Sequence, residues 1–125
     1  KADASVLAAA EIAAQTSEKD YQIVQEDTHA YSGGSTDVGD VQHLQPVLTF
    51  NTGGKVNGLH SVDFDIVDDE LAYVVTAKIF ALSAYRLLRD GAVKAKEIVA
   101  NYQPIFTKEE YIKYMDSFIK TETYQ

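Results

Sequence analysis

Apolar residues at helical spacing open and close this chain, and two polar, glycine-rich stretches interrupt its middle. From Asp3 to about Thr16 an Ala-rich run places Val6, Leu7, Ala10 and Ile12 or Ala13 on one side, with Asp3 positioned as a cap. That pattern predicts a helix. Tyr21-Gln22-Ile23-Val24-Gln25 is a short apolar run that predicts a strand. From His29 to Asp40 the chain turns polar and Gly-rich, which predicts a loop unable to bury itself. Pro46 then opens Val47-Leu48-Thr49-Phe50, a buried strand of the α/β type. Asn51 to Gly58 is the second Gly-rich loop, and it leads into Leu59-His60-Ser61.

The longest helix is predicted from Asp68 or Asp69 to about Arg89. Its acids sit at the N-terminus and Arg86 and Arg89 near the C-terminus, as the helix dipole favours. Leu71, Val74, Val75, Ile79, Leu82 and Tyr85 form a stripe that Ala77, Ala81 and Ala84 broaden. A helix apolar over so wide an arc packs against a sheet. Asp90-Gly91 ends it, a further helix runs from Ala92 to about Tyr102, and Pro104 follows. Thr107-Lys108-Glu109-Glu110 reads as a capping sequence for a last helix carrying Tyr111, Ile112, Met115, Phe118 and Ile119. Two strands are few for a self-sufficient α/β sheet, so the order of elements points to a segment of a larger sheet domain.

Composition narrows the function classes. The chain has 125 residues, a net charge of −8 and no cysteine. Its acidic balance, with a pI near 4.7, argues against nucleic acid and against an anionic membrane surface, because both need clustered Lys and Arg. Without cysteine there is no disulfide framework and no thiolate metal site, which fits a reducing, cytoplasmic setting. No membrane-spanning run and no signal segment is expected. The chain opens Lys1-Ala2-Asp3 without Met, and it is expected to be a piece of a longer protein.

The two Gly-rich loops hold the residues that could carry chemistry. Gly34-Ser35-Thr36-Asp37-Val38-Gly39-Asp40-Val41 sets two carboxylates three residues apart ahead of a strand, where glycine lets backbone approach a ligand. The same spacing also suits a plain turn whose Ser, Thr and Asp side chains bond their own backbone. His60 follows the second loop at a strand-to-helix connection, the place where α/β folds bind ligands. Imidazole is the commonest neutral metal ligand, yet a lone histidine is more often a surface or packing residue. Asp63, Asp65, Asp68 and Asp69 lack the regular spacing of a calcium loop and read as helix-start acids and solvated charge. His29, His43 and His60 could form a three-histidine zinc set, but their spacing does not demand one. The eight tyrosines read as packing residues with wet hydroxyls.

Taken in order, Gly-Ser-Thr-Asp-Val-Gly-Asp-Val at 34–41, Pro46 with its apolar strand, Leu59-His60-Ser61 and the Ala-rich helix with Lys78 and Leu87-Leu88 form a recognisable pattern. From about Thr28 to Ile119 it resembles the C-terminal part of the metallopeptidase family of carboxypeptidase G, aminoacylases and N-acyl-amino-acid amidohydrolases. The nearest likeness is to the p-aminobenzoyl-glutamate hydrolase B-subunit branch. The resemblance implies an α/β class, with residues 1–125 as the C-terminal segment of a three-layer αβα zinc-peptidase catalytic domain. It also implies two divalent metals, zinc or manganese, in the intact enzyme, and hydrolysis of an amide bond next to an amino-acid carboxylate in a small N-acyl amino acid or peptide.

Under the same resemblance His60 is a ligand of one metal, and Ser35, Thr36, Asp37 and Asp40 lie at the substrate end of the cleft. The family's other ligands come from an early His-x-Asp motif, a bridging Asp and a Glu-Glu pair whose first glutamate is the general base. No His-x-Asp motif occurs here, and the one Glu-Glu pair, Glu109-Glu110, lies in the terminal helix. No catalytic residue is therefore assigned to this chain, which is expected to bind metal weakly, to be inactive alone and to self-associate through exposed apolar edges. The alternative is a self-contained binding or subunit module that uses the same loops as a non-catalytic surface.

Overall fold

A computed structural model describes residues 4–24 and 36–121. The chain divides into two compact units, one built from residues 1–31 and 48–95, the other from 32–47 and 96–125.

The first unit is organised by two helices and a short hairpin. Helix α1 spans Ala4–Gln15 and buries Val6, Ala9 and Ala13, residues spaced so that they share one face. Ile12 lies outside that face and is exposed, and Asp3, the expected cap, lies outside the described residues. Val6 and Ala13 pack on Val75 and Ile79, with Ala10, Tyr21, Phe50 and Leu71 around them. Burial of each of Val6, Val75 and Ile79 contributes roughly 1.5–3 kcal/mol. Small alanines on α1 allow its close approach.

The long helix begins as a wide π-helical turn, Glu70–Val75, and continues as α3, Thr76–Asn101. The Asp69 side chain accepts from the Glu70 amide at 3.0 Å and that of Asp68 from the Leu71 amide at 3.1 Å, so both act as helix-start acids. Arg89 is extended, and Asp90, Gly91 and Ala92 take left-handed φ of 55°, 74° and 60°. The Asp90-Gly91 stop is thus a true break between two helical stretches. Glu70–Asn101 nevertheless contains an eighteen-residue window of mean hydropathy 1.4, long and apolar enough by composition to cross a membrane. It passes by length and composition only, as the core helix of a soluble protein can.

The only ladder among the described residues is antiparallel, between β1 (Lys55–Val56) and β2 (Asp65–Ile66), with Lys55 opposite Ile66 and Val56 opposite Asp65. Neither 21–24 nor 47–50 forms a ladder among those residues. Strand pairing is non-local, and among the described residues neither segment has a paired strand.

In the second unit the loop expected up to Asp40 closes instead with a short helix, α2, Val38–Gln42. Helix α4, Lys108–Asp116, starts with a full capping box: the Glu110 amide donates to the Thr107 hydroxyl at 3.2 Å, and the Thr107 amide donates to Glu110 Oε2 at 2.8 Å. These bonds hold the Glu110 carboxyl below its usual range, the Thr107 amide first and its hydroxyl second.

Candidate functional site

His60 stands on the loop that joins β1 to β2. The loop is held by local bonds: the Ser61 amide donates to the Gly58 carbonyl at 3.0 Å, and the Phe64 amide to the Ser61 carbonyl at 3.2 Å. Asn57 Nδ2 donates to the Asp63 carbonyl at 2.6 Å, and the Ser61 hydroxyl to the Asp63 carboxylate. Within this frame His60 has a left-handed φ of 71° and an exposed side chain with no hydrogen-bond partner among the described residues. A non-glycine residue there carries a backbone cost of about 1–2 kcal/mol.

The root of the hairpin is set by Gly54. Its carbonyl accepts from both Val67 and Asp68 amides, at 2.9 and 3.1 Å. Its φ is +89°, and a Cβ would lie 2.5 Å from the Asp68 carbonyl oxygen and 2.8 Å from the Ala72 nitrogen. Only glycine meets both conditions.

Asp68 joins this root to the segment after α1. It accepts the Tyr21 hydroxyl at 3.1 Å and pairs with Lys19 at 2.9 Å. Tyr21 is also 3.2 Å from Glu70 Oε2. The Lys19 bond, followed by the Leu71 amide, lowers the Asp68 carboxyl, and the same contact raises the Lys19 ammonium. Loss of hydration, then the bonds to Asp68 and Glu70, raises the Tyr21 phenol. These groups sit at the root of the hairpin, away from its tip, and serve to hold it.

The acidic loop residues belong to the second unit. Ser35 lies outside the described residues, as does His29. Thr36 and Asp37 are exposed; Asp37 occupies the N-cap position of α2 without a side-chain capping bond, and the Val38 amide lies 3.4 Å from Thr36 Oγ1. Asp40 accepts the Tyr111 hydroxyl at 2.6 Å, and that bond, with partial loss of hydration second, pushes the Tyr111 phenol up to about 12. The Tyr102 hydroxyl donates to the Gln42 carbonyl, and the His43 carbonyl accepts from the Ile105 and Phe106 amides at 3.1 and 3.3 Å.

These bonds line a surface cleft of about 540 Å³ in this unit, walled by Gly39, Gln42, His43, Pro46, Tyr102 and Ile105. The His43 ring meets Phe106 edge-on at 5.5 Å and stacks on Tyr111 at 5.7 Å, and its Nδ1 is buried without a partner among the described residues. The role of Tyr102 and Ile105 has no local signal in the sequence, because both reach α2 from some sixty positions away.

Among the described residues no group of three His, Asp or Glu side chains is placed to hold a metal ion. His60 supplies one donor where zinc takes three or four protein ligands, so these residues alone do not fit a metal centre. Comparison with family models, with characterised proteins and with solved structures gives no match to this chain.

Proposed function

We propose that this chain is the C-terminal portion of an αβα catalytic domain of a metal-dependent amidohydrolase. In that reading the intact enzyme cleaves the amide bond next to an amino-acid carboxylate in a small N-acyl amino acid or peptide. His60 gives one ligand to a divalent metal, and Ser35, Thr36, Asp37 and Asp40 shape the substrate end of the site. The observation that supports it most is the exposed imidazole of His60 on the hairpin loop, which has no hydrogen-bond partner among the described residues. An exposed ring leaves one nitrogen open to a metal and the other open to the orienting acceptor that a ligating imidazole takes.

The general base and the remaining ligands lie outside this chain, so no step of hydrolysis is derived from its residues and the chain alone has no turnover. The test uses the product of the complete gene. Hydrolysis of an N-acyl amino acid is expected there, with His60→Ala abolishing turnover and lowering the bound-metal stoichiometry. Turnover unaffected by His60→Ala, or a complete gene without a His-x-Asp motif and a Glu-Glu pair ahead of this region, overturns the reading.

A second reading, a self-contained binding module, draws support from the His43 Nδ1, buried without a partner among the described residues beside an open surface cleft. It requires a gene that encodes little beyond this chain.

A further inference from the structure

Asn57-Gly58, directly after β1, is a chemical pairing with no part in the metal site or the His43 cleft. The chain has three asparagines, Asn51, Asn57 and Asn101, and Asn57 alone is followed by glycine. The neighbour decides what an asparagine can do to its own backbone. The nitrogen of the next residue can close a five-membered ring on the side-chain amide carbon, and a Cβ on that next residue hinders the closure. Glycine has none.

The three sites differ in structure as well. After Asn51 stands Thr52, β-branched and half-buried, its hydroxyl 2.7 Å from that of Thr76. After Asn101 stands Tyr102, whose amide donates to the Val99 carbonyl at 3.2 Å, while Asn101 Nδ2 donates to the Glu97 carbonyl at 2.9 Å. Asn57 and Gly58 are both exposed, and a Cβ on Gly58 would meet nothing. The Gly58 amide has no hydrogen-bond partner among the described residues, so no bond there withholds it from attack. Among the same residues the Asn57 side chain is held by one bond, from Nδ2 to the Asp63 carbonyl at 2.6 Å.

Ring closure removes the donor of that bond. Gly58 gives its amide proton to solvent and its nitrogen bonds to Asn57 Cγ; the Cγ–Nδ2 bond breaks and the nitrogen leaves as ammonia. Water then opens the succinimide at either carbonyl. One opening leaves an aspartyl side chain. The other leaves an isoaspartyl link, in which the main chain runs through Cβ and Cγ and is longer by one atom. Water enters, ammonia departs, and no oxidant or reductant is needed. Either product carries a carboxylate, which accepts hydrogen bonds and donates none, in a loop that already holds the Asp63 carboxylate. The lengthened link starts directly after Val56, whose pairing with Asp65 is half of the two-pair ladder.

We propose that Asn57-Gly58 is a site of spontaneous deamidation in the folded chain, and that the change loosens the loop on which His60 is displayed. The geometry around His60 then has a finite lifetime, set by this one peptide link, whether or not the imidazole binds a metal.

The folded 125-residue chain is incubated at mildly alkaline pH, and its peptides are followed by mass spectrometry together with enzymatic methylation of isoaspartyl groups. Conversion of amide to acid at Asn57 is expected to run about tenfold or more faster than at Asn51 or Asn101, and Gly58→Ala is expected to slow it by a similar factor. Conversion no faster than at the other two asparagines, or unaffected by Gly58→Ala, overturns the proposal. So does reaction of Asn57 in urea but not in the folded chain, because the loop then protects it. Amide exchange at Ser61 and Phe64, whose bonds close the loop, reads the loosening: faster exchange in the deamidated chain supports it, and equal exchange overturns it.

Discussion

Tyr21 donates its hydroxyl to Asp68 at 3.1 Å, and through that bond the segment after α1 is fastened to the start of the long helix. Lys19 reaches the same carboxylate at 2.9 Å. Removing the acceptor charge with Asp68→Asn, or the hydroxyl with Tyr21→Phe, is expected to lower the Tm by a few degrees, with Asp68→Asn the larger loss because it also weakens the bond to the Leu71 amide. Thermal melts followed by circular dichroism check the order of the two variants.

The same cluster sets a pH dependence. The Asp68 carboxyl is lowered in the folded chain, so its contribution is present above the unfolded carboxyl value of about 3.9 and is lost as pH falls through the lower folded value. Lys19 and Tyr21 are raised, so theirs are full below unfolded values of about 10 and are lost as pH climbs through the folded ones. Wild type is therefore expected to lose stability at both extremes. Against Tyr21→Phe, the alkaline loss is expected to shrink, which urea unfolding at pH 7 and pH 11 measures.

Gly54→Ala is expected to be the most damaging single change in the first unit. The left-handed φ costs about 1–2 kcal/mol, and the Cβ set 2.5 Å from the Asp68 carbonyl oxygen forces the backbone apart. A loss above about 2 kcal/mol in chemical denaturation is expected. Gly58→Ala, where a Cβ would meet nothing, serves as the control.

Thr107→Ala removes one half of the α4 capping box and is expected to cost about 1 kcal/mol. Thr107→Ser keeps the hydroxyl and is expected to restore most of it. Helical content at the α4 amides, read by NMR, distinguishes fraying of α4 from global unfolding.

The 125-residue chain is expected to self-associate as its concentration rises, because exposed Tyr73, Ala77, Ala81, Ala84 and Leu88 form an uncharged stripe at helical spacing on the long helix. Ala81→Arg is expected to reduce that association without loss of helicity, since Ala81 is exposed. Sedimentation across a concentration series reads both; a clean monomer at high concentration contradicts the expectation.

The helices were legible in the sequence because their signals are local. The Ala-rich run gave α1 to within a residue or two, Thr107 and Glu110 announced α4, and Asp90-Gly91 marked the break in α3. The strand at 47–50 was not confirmed by any pairing, because a ladder depends on a partner that no local pattern contains. Helix α2 escaped notice for a related reason. Asp37-Val38-Gly39-Asp40 has the composition of a loop, and its helix is held by Tyr102 and Tyr111 from far along the chain. At the candidate site, His60 lies on the loop of a β-hairpin and not at the predicted strand-to-helix connection, and the bond from Tyr111 to Asp40 could not be foreseen from spacing.

The hairpin that carries His60 has a ladder of only two residue pairs and a root fixed by one glycine carbonyl. Two strands so short are a poor ruler for placing an imidazole to the tolerance of a coordination bond. The loop's inner bonds fix the shape of the tip, and only the two pairs and the Gly54 carbonyl set its direction. On the reading proposed above, whatever binds that ring therefore also aims it, and the histidine's precision is borrowed from its surroundings.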